Sequence, residues 1–133
     1  MADPKYTTQF SIHITGEETD EKFDGVFKIK TKLSFREQLL RDEFRRQFLG
    51  SSPNGTEAYV RAQSLADLFS ELAVRVLDAP VWWKSADNGM NLFDDNVAKG
   101  VYDQAMEEVR KASKKSTADG EKAKADITNV PKE

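Results

Sequence analysis

The sequence contains no cysteine and a single histidine, His13, among its 133 residues. The missing cysteines exclude a disulfide framework, thiolate zinc sites, iron–sulfur ligation and cysteine nucleophiles, and point to a cytosolic compartment. One imidazole leaves only His13 for any Ser-His-Asp arrangement and excludes a multi-histidine metal site within one chain. The expectation is a protein that is not an enzyme and holds no cofactor or metal. Long apolar runs are lacking too. No stretch approaches the roughly 20 residues that span a bilayer, and Met1 to Phe10 has no signal-peptide core, so neither a membrane span nor a secretory route is expected. What remains, 38% hydrophobic and 32% charged, suits one small α+β domain with a modest core.

Gln9 to Thr15 sets Phe10, Ile12 and Ile14 against Ser11, His13 and Thr15, the period of a strand with one buried face. After the acidic, turn-rich stretch from Gly16 to Phe23, Phe27, Ile29, Thr31 and Leu33 alternate with Lys28, Lys30 and Lys32. The pattern predicts an antiparallel hairpin over residues 8–33 with a lysine-lined outer face. Since a lone hairpin is marginal in water, its apolar face must lie on helices or on another chain's sheet.

Ser34 and Glu37 have capping-box spacing and predict a helix start. The apolar stripe Leu40, Phe44 and Phe48, with Phe35 and Leu39 beside it, runs on to Gly50. A loop over Ser51 to Gly55 leads to a second helix from about Thr56, itself a candidate cap, to Asp78, bounded by Pro80. Asp87-Asn88-Gly89 marks a turn, and Asp94 or Asp95 caps a third helix from about Asn96 to Ala112. Gly100 inside it costs about 1 kcal/mol relative to alanine, which points to a close contact that uses the missing side chain. From Ser113 the chain has too few apolar residues to offset ordering entropy. The expected organisation is one domain over residues 1–112 and a mobile polar tail over residues 113–133. The predicted core unites Phe27, Ile29, Leu40, Phe44, Leu65, Phe69, Leu72 and Val101.

Candidate chemistry is sparse. Arg36, Arg41, Arg45 and Arg46 crowd one helix, but Glu37, Asp42 and Glu43 interleave with them and the net charge is −3, which argues against nucleic acid. Adjacent carboxylates such as Asp94-Asp95 and Glu107-Glu108 point apart on a helix, whereas acid–base catalysis needs convergence. Asp87 to Asn96 lacks the order of a calcium loop. Asn54-Gly55-Thr56 satisfies the glycosylation sequon, but without a secretory signal it never meets the machinery. His13 falls on the polar strand face as a surface residue. The adjacent tryptophans, Trp82 and Trp83, must point in different directions: either both seal the helical layer, or one closes the core while the other docks a partner. The candidate partner-binding residues are therefore Trp82 and Trp83, Lys28 and Lys30 on the hairpin, and secondarily Arg45 and Arg46.

Taken together, Phe23-Asp24-Gly25-Val26-Phe27, Leu33-Ser34, Arg45-Arg46 before Leu49-Gly50, Arg61-Ala62, Arg75, Ala79-Pro80-Val81-Trp82-Trp83, Asn88-Gly89, Leu92 and Asp95-Asn96-Val97 form a string of motifs. It resembles small proteins of tailed-bacteriophage structural modules, in particular tail assembly chaperones. The resemblance covers roughly residues 8–112, and the hairpin departs from the largely helical pattern of such chaperones. It implies a non-enzymatic factor in the host cytoplasm that keeps segments of a tail tube or tape-measure protein soluble until polymerisation. The alternatives are a virion component such as a head decoration protein, bound to capsid or to further copies of itself, and a phage-encoded inhibitor of a host protein.

Overall fold

The computed structural model describes residues 4–50 and 57–128, with side chains over 5–50 and 60–114. The loop expected over Ser51–Gly55, the sequon at Asn54 and the cap at Thr56 lie outside the described residues. After a 3-10 turn at Pro4–Tyr6, the elements are β1 (Thr7–Thr15), β2 (Lys22–Lys30), α1 (Phe35–Leu49), α2 (Glu57–Arg75), β3 (Val76–Asp78), α3 (Val81–Lys84) and α4 (Asp95–Thr128). The fold is α+β, as the alternation and the caps predict.

β1 and β2 form the expected antiparallel hairpin, paired without a bulge from Thr7↔Lys30 to Thr15↔Lys22. Strand pairing stops at Lys30, short of the expected Leu33. Asp20, at φ 61°, turns the chain between the strands, and the Gly16 amide donates to Glu21 O at 2.8 Å. The sheet has a third strand. Val76–Asp78 reads by spacing as the end of the second helix, but α2 stops at Arg75 and the next three residues pair with β2. The unpaired edge of β2 offers backbone partners there, and tertiary pairing overrides the helical period.

The capping box at the start of α1 forms as read: Glu37 N donates to Ser34 Oγ at 3.2 Å and Ser34 N to Glu37 Oε1 at 2.8 Å. Gly50 ends the helix at φ 61° and ψ −140°, outside the left-handed helical region but open to glycine. The stretch after Pro80, the residue expected to bound the second helix, makes one helical turn, α3. α4 continues through Thr128, well past the expected end near Ala112. The tail is rich in the good helix formers Lys, Ala and Glu, and it propagates from a packed half that has already met the cost of nucleation.

Phe10, Ile12, Phe27, Ile29, Leu68, Leu72, Trp83, Val101 and Ala105 form the centre of the core between the sheet and the α2 and α4 helices. Four of the eight expected core residues, Phe27, Ile29, Leu72 and Val101, are buried. Leu40 is 45% exposed, while Phe44, Leu65 and Phe69 are half-buried. Leu40 and Phe44 lie on α1, which packs on α2 and buries none of its side chains fully, whereas on α2 Leu65 lines an open groove and Phe69 packs against the core. Gly100 lies against β1, where an added Cβ would stand 2.4 Å from Ile14 Cδ1, so the close contact is helix to strand.

Candidate interaction surfaces

The two tryptophans divide as their adjacency requires. Trp83 is 1% exposed and stacks edge-on with Phe27, and Gly89 gives it room: at φ 89°, a Cβ there would fall 2.5 Å from the indole. This removes Trp83 from the candidate binding residues, since a side chain closed into the core cannot anchor a partner without unfolding. Trp82 is half-buried over Phe23 and Phe27, and its Nε1 donates to Asp24 O at 2.9 Å. Pro80 lies so close to the sheet that a Cβ on Gly25 would approach its Cγ to 2.2 Å.

The role of Trp82 follows from the hydrogen-bond alternation of the hairpin. Thr31 N bonds Tyr6 O and Gly16 N bonds Glu21 O, so every second pair inward from these exchanges bonds between β1 and β2. The even-numbered residues of β2 therefore aim their backbone groups at the other edge. There Trp82 Nε1 takes Asp24 O, β3 pairs beside Lys28, and Arg75 Nη1 takes Lys30 O at 3.0 Å. The structure thus gives each tryptophan a place, Trp83 filling the core and Trp82, half-buried, closing a sheet edge.

The basic candidates are largely engaged. Lys30 pairs with Glu37, whose carboxyl is lowered to about 2 chiefly by that hydrogen bond and next by the Ser34 amide. Arg45 pairs with Asp67, joining α1 to α2, and Arg46 pairs with Glu43 on its own helix. Arg41 lies 3.6 Å from Glu71, whose other oxygen takes Arg75 Nε at 2.7 Å beneath α1. Lys28 is exposed on the outer face. His13 is exposed and bonds Asp24 across the hairpin at 3.0 Å. These positions do not converge on one patch.

Asp94 is the polar residue that sequence reasoning misjudged. Its backbone carbonyl accepts from Val97 N at the head of α4, but its carboxylate turns back to the hairpin. It accepts from Glu18 N at 2.6 Å, Thr19 N at 3.0 Å and Thr19 Oγ1 at 2.7 Å, and is 1% exposed. The Thr19 hydroxyl is the main cause holding this carboxyl below its ordinary range, with the two amides adding to it. Gly16 admits it, because a Cβ there would meet the carboxylate at 2.4 Å. Asn96 completes the seam, donating to Thr15 O and accepting from Glu17 N.

Two apolar surfaces remain open. On α1, Phe35 is 85% exposed and Leu39, one turn on, is 69% exposed, with Leu40 and Phe48 partly uncovered. Between α2 and α4 runs a groove of about 490 Å³ lined by Leu65, Phe69, Met90, Leu92, Ala98 and Tyr102. Arg61–Asp95 and Lys99–Asp103 ion pairs rim it, and Phe93 stands 81% exposed nearby in sequence. Among the described residues no three His, Asp or Glu side chains converge as metal ligands, and no helix is long and apolar enough to cross a membrane. No family model, curated protein or solved structure matches the chain.

Proposed function

We propose that the protein is a non-enzymatic binding factor, a tail assembly chaperone of a tailed phage that holds an apolar helical segment of a tail tube or tape-measure protein until polymerisation. The motif resemblance supplies that setting. The observation that carries the mode of action is the state of α1: a 15-residue helix with no fully buried side chain that turns Phe35 and Leu39 to solvent. Such surface is unfavourable to leave in water and marks a site for a partner. An amphipathic helix laid along α1 would cover Phe35 and Leu39, and the groove between α2 and α4 is a second apolar surface of the kind that takes a helix.

The test is co-expression with the tube and tape-measure proteins, comparing the unaltered chain with the Phe35→Ser/Leu39→Ser double variant. The unaltered chain should raise the soluble yield of one of them and copurify with it, whereas the variant should fold but lose the complex. Stoichiometric presence in purified virions, or undiminished capture by the variant, overturns the reading.

A further inference from the structure

The two long edges of the sheet are treated differently. That of β2 is closed by β3, Trp82 and Arg75. That of β1 is open over most of its length. By the same alternation, Gln9, Ser11 and His13 direct their amides and carbonyls away from β2, and these have no partner among the described residues. At its end, on Thr15 O, Asn96 caps the row.

Natural sheets guard such an edge with charge, proline, a bulge or a short strand. β1 has none of these: it is nine residues long, pairs without a bulge, and reads TTQFSIHIT, with no Lys, Arg, Asp, Glu or Pro. β3, at the opposite edge, has three residues and a register shift.

The occupant follows from the position of α4. It packs chiefly on β1, with Gly100 against Ile14 and Asn96 at Thr15. A second copy adding antiparallel across β1 would bring its own α4 onto the same face about one strand spacing away, roughly 4.8 Å, where two helices need about 8–10 Å. A single extended segment brings no helix. Its inward side chains would lie beside Phe10, Ile12 and Ile14, where α4 approaches the sheet at Gly100. The outward side chains would face Gln9, Ser11 and His13, which select no charge.

We propose that the outer edge of β1 is a docking site for an extended segment of another protein, apolar at alternate positions, which adds as a fourth strand. This goes beyond the α1 reading and stands or falls separately from it, because it uses another face of the molecule.

The probe is a synthetic nine-residue peptide with the sequence of residues 22–30, which already presents the alternation that β1 accepts. Added to the full chain, it should slow amide exchange at Gln9, Ser11 and His13, while the amides of Phe10 and Ile12, bonded within the hairpin, change little. Ser11→Pro removes one outward amide and no hairpin bond, and should raise the peptide Kd at least tenfold with the melting temperature retained. If that variant does not fold, Gln9→Pro takes its place. Unchanged exchange at the three amides under saturating peptide, or equal binding by a folded proline variant, overturns the proposal. So does a concentration-dependent dimer of the free protein that Ser11→Pro abolishes, since a second copy would then be the occupant.

Discussion

Thr19 donates its hydroxyl to Asp94 across 75 residues of sequence, and the same carboxylate receives the amides of Glu18 and Thr19. The tip of the hairpin is thereby fastened to the head of α4 by a group that looks, in sequence, like an ordinary helix cap. Asp94→Ala should leave two amides without their acceptor and lower the melting temperature by about 5 °C or more. The sign of the pH effect is also set. The folded carboxyl lies below its ordinary range, so its contribution is complete above the unfolded pKa and fades as pH falls beneath it. In thermal melts of the parent and Asp94→Asn between pH 3 and pH 7 the gap should narrow toward the acid end.

Gly16→Ala should be destabilising for a reason outside the backbone, because its Cβ would meet the Asp94 carboxylate. In the Asp94→Ala background the same substitution should cost little. A double-mutant cycle by urea denaturation checks this, and additive costs would contradict the steric account.

Trp82 and Trp83 should separate by size of effect. Trp83→Ala opens the centre of the core and should cost about 3–5 kcal/mol. Trp82→Phe keeps a ring on Phe23 and Phe27 but drops the hydrogen bond to Asp24 O, and should cost about 1 kcal/mol. Chemical denaturation of both variants reads the difference.

Glu37 closes the capping box with one oxygen and pairs with Lys30 through the other, tying β2 to α1. With its pKa lowered to about 2 from 4.5, its stabilisation is whole above pH 4.5 and is lost on the way down to about pH 2. Solvent screening keeps the contribution on the order of 1 kcal/mol. Glu37→Gln should lower stability at pH 7 and leave it unchanged near pH 2.

Phe35→Ser with Leu39→Ser should change folding stability by no more than about 0.5 kcal/mol, because neither side chain is covered in the free protein. Urea melts check the folded state of the variant used in the binding test.

Interactions that close within a few residues are legible in the sequence. Ser34 and Glu37 announce a cap that forms, and Phe10 and Ile12 announce a buried strand face. The turn at Asp87-Asn88-Gly89 also forms, with φ values of 54°, 54° and 89°. What is not legible depends on distant partners. Val76 continues a helical period, and only the unfilled edge of β2 turns it into a strand. Leu40 and Phe44 have the pattern of core residues, but a stripe does not say which layer will cover it. Of the candidate site, Lys28 and Lys30 are assigned to a strand whose edge β3, Trp82 and Arg75 close, and Trp83 shows why an aromatic pair cannot be assigned from adjacency: the space made by Gly89 decides which ring goes inside.

The seam at Asp94 also bears on the order in which the protein is made. The hairpin precedes in sequence, and so in synthesis, the elements that cover its apolar face, α2, Trp83 and α4. Its turn is not fastened until Asp94 and Asn96 emerge, 75 to 81 residues after the residues they bind. During synthesis the nascent hairpin therefore waits with Phe10, Ile12, Phe27 and Ile29 uncovered, and the domain closes only when α4 arrives.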